Sequence, residues 1–272
     1  MTETDQTRIE RERSFWDEHA RTTLNGHPPE DYLTGPDDRY DRTVPWLPYI
    51  GMPAYIDRLL AEIGEVSGKS VLDLGTGSGF LAALLAARGA QVDAVDVSDA
   101  SLEVARMRAL LSGVADRVRL HNMPIESLSF PDNSFERIVG TFLLHHLDLA
   151  RGLAEIHRVL RPGGVAVFIE TWARNKLLMA ARSVLTGRFG IEKAGSDDEA
   201  PLDHSARRIL ANSSFSRVEY GFPNLLFFRM AGYMPWARLG PFPAIWSGLD
   251  TMAGFIPGIR NFSYYAVVIL RK

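Results

Sequence analysis

Cysteine is absent from all 272 residues. That excludes disulfides, thiolate-held zinc or iron–sulfur centres and a thiol nucleophile, and it fits a reducing compartment. Missing too is any unbroken apolar run of the roughly 20 residues that a membrane-spanning helix needs. The longest greasy stretch, Phe222 to Ile259, is interrupted by Pro223, Pro235, Pro241, Pro243 and Pro257 and carries Arg229, Arg238 and Asp250. The opening MTETDQTRIERERSFWDEHA is charged with both signs and has no apolar centre, so it reads neither as a signal peptide nor as an anchor. Nor is there a surplus of basic charge. Thirty Lys and Arg stand against 33 Asp and Glu, a formal net charge of -3, and no broad basic footprint points to nucleic acid. The expectation is a cytoplasmic protein with no nucleic-acid partner and no stable membrane insertion.

What is present is an alternation of strands and helices. Residues 1–44 are polar, with Phe15 and Trp16 as large apolar anchors, and read as a capping helix followed by a loop. Residues 45–272 form the main domain. After a helix over Ala54 to Ile63, the strands fall at Ser70–Leu74, Gln91–Val97, Val118–His121, Phe135–Leu143 and Val165–Glu170. Helices Phe80–Arg88, Ala100–Ser112 and Leu149–Leu160 separate them, the last stopped at Arg161-Pro162-Gly163-Gly164. Uniformly apolar strands between helices predict a parallel sheet covered on both faces. A helix at Ala206–Asn212 precedes a strand near Ser216–Gly221, and Ser263–Leu270 ends the sheet. These two strands have no intervening crossover helix of this kind, so they read as an antiparallel pair interrupted by an apolar insert at 222–262. The fold class is therefore α/β, doubly wound: a mostly parallel seven-stranded sheet with an antiparallel terminal strand, an N-terminal helical cap and the insert.

The decisive segment is Val71-Leu-Asp-Leu-Gly-Thr-Gly-Ser-Gly79. It sets three glycines between a strand and a helix, where backbone passes close to a ligand and no Cβ fits. A dinucleotide loop would carry its third glycine one step later, as GxGxxG, but position 80 is Phe80. That favours an uncharged linker over a pyrophosphate. Asp73, two residues before Gly75, is placed to hold an ammonium group. Asp96 closes the second strand, where a carboxylate accepts from both ribose hydroxyls of a nucleoside. Asp93 points to the opposite face by strand alternation.

These residues, with Val-Asp-x-Ser at 95–98, Phe-Pro-Asp-Asn-Ser-Phe at 130–135, Leu-His-His-Leu at 144–147 and Arg-Val-Leu-Arg-Pro-Gly-Gly at 158–164, resemble the class I S-adenosylmethionine-dependent methyltransferases of the small-molecule type. The likeness covers about residues 65–172. It implies S-adenosylmethionine as cofactor and S-adenosylhomocysteine as product; without Cys or clustered carboxylate–histidine spacing, no metal is expected. Asp73, Gly75, Thr76, Gly77 and Gly79 would surround the methionine part. Asp96 would hold the ribose, Val97 would lie beside the adenine, and Leu143 would line the same cleft. Where the family commonly has Asp-Ala at the adenine edge, this chain has Pro124-Ile125. The N–H of Ile125 serves the ring, while the exocyclic amine lacks a carboxylate unless Asn122 substitutes.

Methyl transfer from a sulfonium is an in-line displacement that mostly needs positioning. A base, where the acceptor needs one, belongs at the carboxyl ends of the strands. His145, His146 and Glu170 sit there, against the bland reading of packed histidines and a helix cap. Tyr40 and His204 are weaker candidates in segments expected to fold over the pocket. The insert is dense in aromatics and methionine. It reads first as an apolar pocket for a small lipophilic acceptor together with ordinary core, then as a homodimer face, and last as a membrane contact. Glu192 to Asp203 reads as a solvated loop and candidate lid. Three other functions share the scaffold: a cofactor-holding enzyme with non-methylating chemistry such as cyclisation, an NAD(P)-dependent oxidoreductase, and a non-catalytic adenosyl-binding subunit. The absence of a Tyr-x-x-x-Lys motif speaks against the oxidoreductase, and the presence of Asp73 and Asp96 against the subunit.

Overall fold

A computed structural model describes residues 3–185 and 201–272. Seven strands, β1 (Ser70–Leu74), β2 (Gln91–Asp96), β3 (Val118–Asn122), β4 (Phe135–Thr141), β5 (Leu160–Thr171), β6 (Arg217–Gly221) and β7 (Tyr265–Arg271), form one sheet in the order β3-β2-β1-β4-β5-β7-β6. The first five are mutually parallel. The order turns back at β1, which puts the carboxyl ends of β1, β2 and β4 around one crevice, the usual ligand position in open α/β sheets.

Strand alternation divides the core. Val71, Val92, Val139 and Val167 face α2 (Met52–Ile63) and α3 (Phe80–Ala87), while Leu72, Leu74, Ile138 and Phe168 face α5 (Leu149–Val159) and α7 (His204–Ala211). Both faces of the central strands β1, β4 and β5 bury apolar side chains, and the edge strands β3 and β6 carry exposed polar positions. Helix starts are capped as their sequences dictate: Ser98 accepts from the Ser101 N–H at α4 (Asp99–Leu111), Asp148 from Arg151 at α5 and Asp203 from Ala206 at α7. Each such cap contributes about 1 kcal/mol.

The expected antiparallel terminal pair is present, and the structure adds its order: β7 runs antiparallel between β5 and β6, leaving β6 at the edge. One feature departs from the pattern read in the sequence. The Arg161–Gly164 turn is part of β5, because Leu160 already pairs with Phe135 and the Gly163 N–H donates to the carbonyl of Lys272. The N-terminal segment forms α1 (Glu3–Gly26), which packs on α4, and α6 (Lys176–Leu185) follows β5. The insert holds short 3-10 turns and α8 (Phe242–Ala253). Residues 192–200 of the candidate lid lie outside the described residues. Among the described residues, no helix is long and apolar enough to cross a membrane.

Candidate active site

The turn from β1 into α3 is built from glycine for two different reasons. Gly79 has φ +78°, and a Cβ there would come within 2.7 Å of the Ala105 backbone, so its bareness lets α3 lie against α4. Gly77 has φ +50°, but a Cβ there would meet nothing within 4 Å. Packing within the chain therefore does not require Gly77; its left-handed backbone favours glycine, and the space before it is open. A Cβ on Gly75 would strike Leu143, which places Leu143 against the same turn.

Two carboxylates converge on this loop. Asp96 accepts from the Gly77 N–H (2.9 Å) and the Ser98 N–H (2.9 Å), one bond on each oxygen, which leaves a lone pair on each for a further donor. Asp73 is buried and accepts from the Thr76 hydroxyl at 2.6 Å. Desolvation pushes the Asp73 carboxyl up to about 7, against the Thr76 hydrogen bond and with help from the nearby Asp96 charge. Burial raises Asp96 as well, although the N–H groups of Ser98, Gly77 and Val97 pull it down. Among the described residues neither carboxylate has an ion pair. The contrast is Asp93 on the opposite face: burial alone would raise it, but Arg119 (2.7 and 2.9 Å) and His121 (2.7 Å) hold it below the usual carboxylate range.

The wall after β4 is organised by Glu170. One of its oxygens accepts from the N–H groups of Leu143 (2.9 Å) and Leu144 (2.7 Å), and the other lies 2.7 Å from Nδ1 of His145. Both side chains are wholly buried. Glu170 thus fixes the turn that carries Leu143, and its oxygens face the chain itself. His146 differs: its ring lies edge-on to Trp16, and its Nδ1 is 3.3 Å from Glu12.

Trp16 and Glu12 belong to α1, which roofs the crevice. Arg13 donates to the carbonyl of Val97 (3.0 Å), Asp17 accepts from the Ser98 hydroxyl (2.6 Å), and Arg8 bonds both Glu126 and the His146 carbonyl. One helix so ties together the loops after β2, β3 and β4. Ile125 is buried at the start of the short turn 125–127, with Pro124 extended before it. Both amide hydrogens of Asn122 are spent on the Val97 carbonyl and on Asp99. Only its carbonyl oxygen remains for an exocyclic amine.

Residue-by-residue reading overlooked a second anchor. Arg108, fully buried on α4, makes two bonds to Asp41 (2.8 and 2.9 Å), donates to the Ser78 carbonyl of the glycine turn (2.8 Å) and lies over the Tyr32 ring. The Ser78 hydroxyl also donates to Asp41. The signal was available, since Arg108 falls on the same helical stripe as the buried Ser101 and Ala105.

Beyond the glycine turn lies an aromatic wall. Phe142, held at φ +54° directly after β4, lies tilted against Tyr265 at 5.0 Å, and the Tyr265 hydroxyl meets that of Tyr233; Trp46 lies 4.6 Å from Tyr233. Tyr40 packs on the same core cluster, whereas His204 is exposed at the start of α7. The insert divides: Leu225, Leu226 and Ala237 are buried, while Trp236, Leu239, Ile245, Met252 and Phe255 are exposed. A surface groove between α5 and α7, lined by Ala150, Leu153, Arg208 and Ile209, shares no residue with this site. No group of three or more His, Cys, Asp or Glu among the described residues could hold a metal ion.

Comparison with known proteins agrees with this geometry. A family model described as a methyltransferase domain matches residues 72–168. The demethylmenaquinone methyltransferase of Clavibacter sepedonicus is 41% identical over 109 residues, 40% of this chain and 43% of that one, so the chain spans less than half of that relative's length. The ubiquinone/menaquinone biosynthesis C-methyltransferase UbiE of Desulfotalea psychrophila is 34% identical over 181 residues, 65% of this chain and 70% of that one. In fold, the structure superposes on the geranyl diphosphate C-methyltransferase of Streptomyces coelicolor A3(2) with a TM-score of 0.61 over 97% of both chains, at 17% identity. Sequence match, sheet order and glycine-turn geometry together place this chain in the class I S-adenosylmethionine-dependent methyltransferases.

Proposed function

We propose that the protein transfers a methyl group from S-adenosylmethionine to a small, lipophilic, aromatic or quinone-like metabolite in the cytoplasm, in quinone or natural-product chemistry. One observation carries the donor assignment: Asp73 and Asp96 converge on an open glycine turn, and no cation among the described residues pairs with either. Two desolvated carboxylates that accept only neutral hydrogen bonds favour a positively charged ligand. S-adenosylmethionine brings an ammonium and a sulfonium, and when bound it supplies the electrophilic methyl group. In this reading Asp73 and the Gly75–Gly79 turn hold the amino-acid end, Asp96 accepts from the ribose hydroxyls, and Val97, Pro124 and Ile125 flank the base. Leu143 packs beside the donor.

The chain's remaining contribution is positioning and exclusion of water. Glu170 and His145 set the turn after β4, and Phe142, Tyr265, Tyr233 and Trp46 form an apolar wall with a hydroxyl pair for a ring-bearing acceptor. His146 keeps part of its ring exposed, so we assign to it any proton taken from the acceptor.

Calorimetry tests the donor site first: S-adenosylmethionine and S-adenosylhomocysteine bind the wild type, NADH does not, and Asp96→Ala weakens both. Release of S-adenosylhomocysteine in the presence of a quinol acceptor then separates methyl transfer from a cyclisation, which consumes no donor. Well-folded protein that binds neither adenosyl compound would sink the reading.

A further inference from the structure

Helix α8 is built inside out. Its residues Phe242, Ile245, Leu249 and Met252, continued by Ile256, recur at three- and four-residue spacing and make one stripe, and every one of them is exposed. Phe255, beside the stripe, is 78% exposed and Met252 71%. The inward side of the helix instead carries the acid. Asp250 is buried, and its carboxylate accepts from the N–H groups of Phe227, Phe228 and Arg229 at 2.9–3.0 Å. That polar anchor fixes the rotation of α8, so the stripe cannot turn inward without stranding the carboxylate and three N–H groups. Contiguous exposed apolar surface of this kind marks an interaction face.

Charge decides what the face meets. Across 172–185 and 222–262 the sequence has six Lys and Arg and a single acid, Asp250, which is sealed inside. The rest of the chain is correspondingly acidic, since the total is -3. The two segments are joined: Trp172 donates to the Asn261 carbonyl, Asn175 to that of Phe262, and the Arg174 guanidinium lies over the Phe262 ring. Arg260 is exposed and reaches Gly254 at the end of α8, and exposed Arg174 and Lys176 flank Asn175, which is tied to the Phe262 carbonyl; neither segment adds an exposed carboxylate. A two-fold contact between copies would set this basic rim against itself. An apolar helix face edged by cations, with aromatic side chains and too short to span, suits the surface of an anionic bilayer.

We propose that α8 and its basic rim dock the protein peripherally on anionic lipid membranes. The helix lies in the interface plane with Met252 and Phe255 in the acyl boundary, and Arg174, Lys176 and Arg260 face the headgroups. The proposal does not depend on the donor or the acceptor, because it concerns only this face.

Co-sedimentation of the full chain with vesicles tests it, comparing phosphatidylcholine with phosphatidylcholine–phosphatidylglycerol mixtures, alongside light scattering for mass in solution. The wild type should bind the anionic vesicles at low salt and scarcely bind the neutral ones. Met252→Glu with Phe255→Glu should lower binding about tenfold or more, as should Lys176→Gln with Arg260→Gln, with thermal melting points unchanged because all four side chains are exposed. Equal binding to neutral vesicles overturns the role of the rim. Absence of binding overturns the proposal, and if the protein is then a dimer that Met252→Glu with Phe255→Glu dissociates, the face belongs to a second copy. Neither adenosyl ligand enters the measurement, so either outcome leaves the methyl-transfer reading to its own test.

Discussion

The glycine-turn region and the insert use opposite designs. Around β1, β2 and β4, polar side chains are drawn inward, and most have partners: Asp41 with Arg108, Glu170 with His145, Glu126 with Arg8. Asp73 and Asp96 have no cation among the described residues. In the insert, apolar side chains are pushed outward, and the acid Asp250 is used internally. A buried charge without a partner and an exposed hydrophobe without a neighbour are the same kind of statement. Each marks a place where the chain's own contacts are incomplete. In the first region the missing partner is a cation of ligand size, in the second an extended surface.

If the comparison holds, the largest effects come from buried partners in either region. Arg108→Met strands Asp41 and releases the Ser78 carbonyl, and should cost about 3–5 kcal/mol of stability in urea unfolding. Leu226→Ala, in the buried inner turn of the insert, should cost about 2–5 kcal/mol. If Arg108→Met proved neutral, the pinning of residues 32–43 to the glycine turn would be incidental.

Next comes ligand affinity. Asp96→Ala removes an acceptor for two ribose hydroxyls and frees the Gly77 N–H, and should weaken S-adenosylhomocysteine binding roughly 100-fold in calorimetry, as expected for lost charge-assisted hydrogen bonds. Asp93→Ala, on the other face and already paired with Arg119, should leave affinity unchanged. Equal losses in the two variants would mean that Asp96 acts only through the fold.

What the sequence made legible separates along the same line. Strand and helix periods, the glycine spacing and the strand-end acid Asp96 are local patterns, and the donor region rests on them. The insertion of β7 between β5 and β6 depends on pairing across the whole chain, which no window of sequence contains. The Asp41–Arg108 pair spans 67 residues, and only the position of an arginine on a buried stripe hints at it. For the insert, composition showed a density of aromatics and methionine, but neither the helix at Phe242–Ala253 nor the way it faces. Such density ordinarily lines a pocket or fills core, and Arg229, Arg238 and Arg260 are scattered along the sequence, so pocket and core ranked above surface. The direction was set by Asp250 and the three N–H groups it accepts, a tertiary contact.

A smaller, pH-dependent effect follows from Asp73. Its carboxyl stands at about 7 in the folded chain against 3.8 ordinarily, because burial disfavours the charge. Between those values the folded state holds a proton that the unfolded state has released. Its contribution to stability is therefore full below about pH 4, declines as pH rises toward about 7, and is flat above. A bound ammonium group reverses the preference by favouring the carboxylate. Binding of S-adenosylhomocysteine should then expel the proton, and affinity should fall about tenfold per unit as pH drops below about 7. Asp73→Asn should bind weakly and show no such slope over this window. A wild type whose affinity does not change from pH 5 to 8 would place the ammonium elsewhere.

The smallest expected effect is the one that sharpens the contrast most. Met252→Ser with Phe255→Ser removes two large hydrophobes from a helix, a change that in a core would cost several kcal/mol. On this face both side chains already touch water in the isolated chain, so nothing is transferred back to solvent on unfolding. The loss of stability should stay within about 0.5 kcal/mol per site. The melting temperature and urea midpoint of the purified protein should match the wild type, and S-adenosylhomocysteine binding should be unchanged because the glycine turn is untouched. A destabilisation comparable to that of Leu226→Ala would show that the stripe packs against the chain in solution. The outward-facing design of the insert would then be the half of the comparison to discard. A null result, set beside the large cost at Arg108, would mean that Met252 and Phe255 are kept for what they meet outside the molecule.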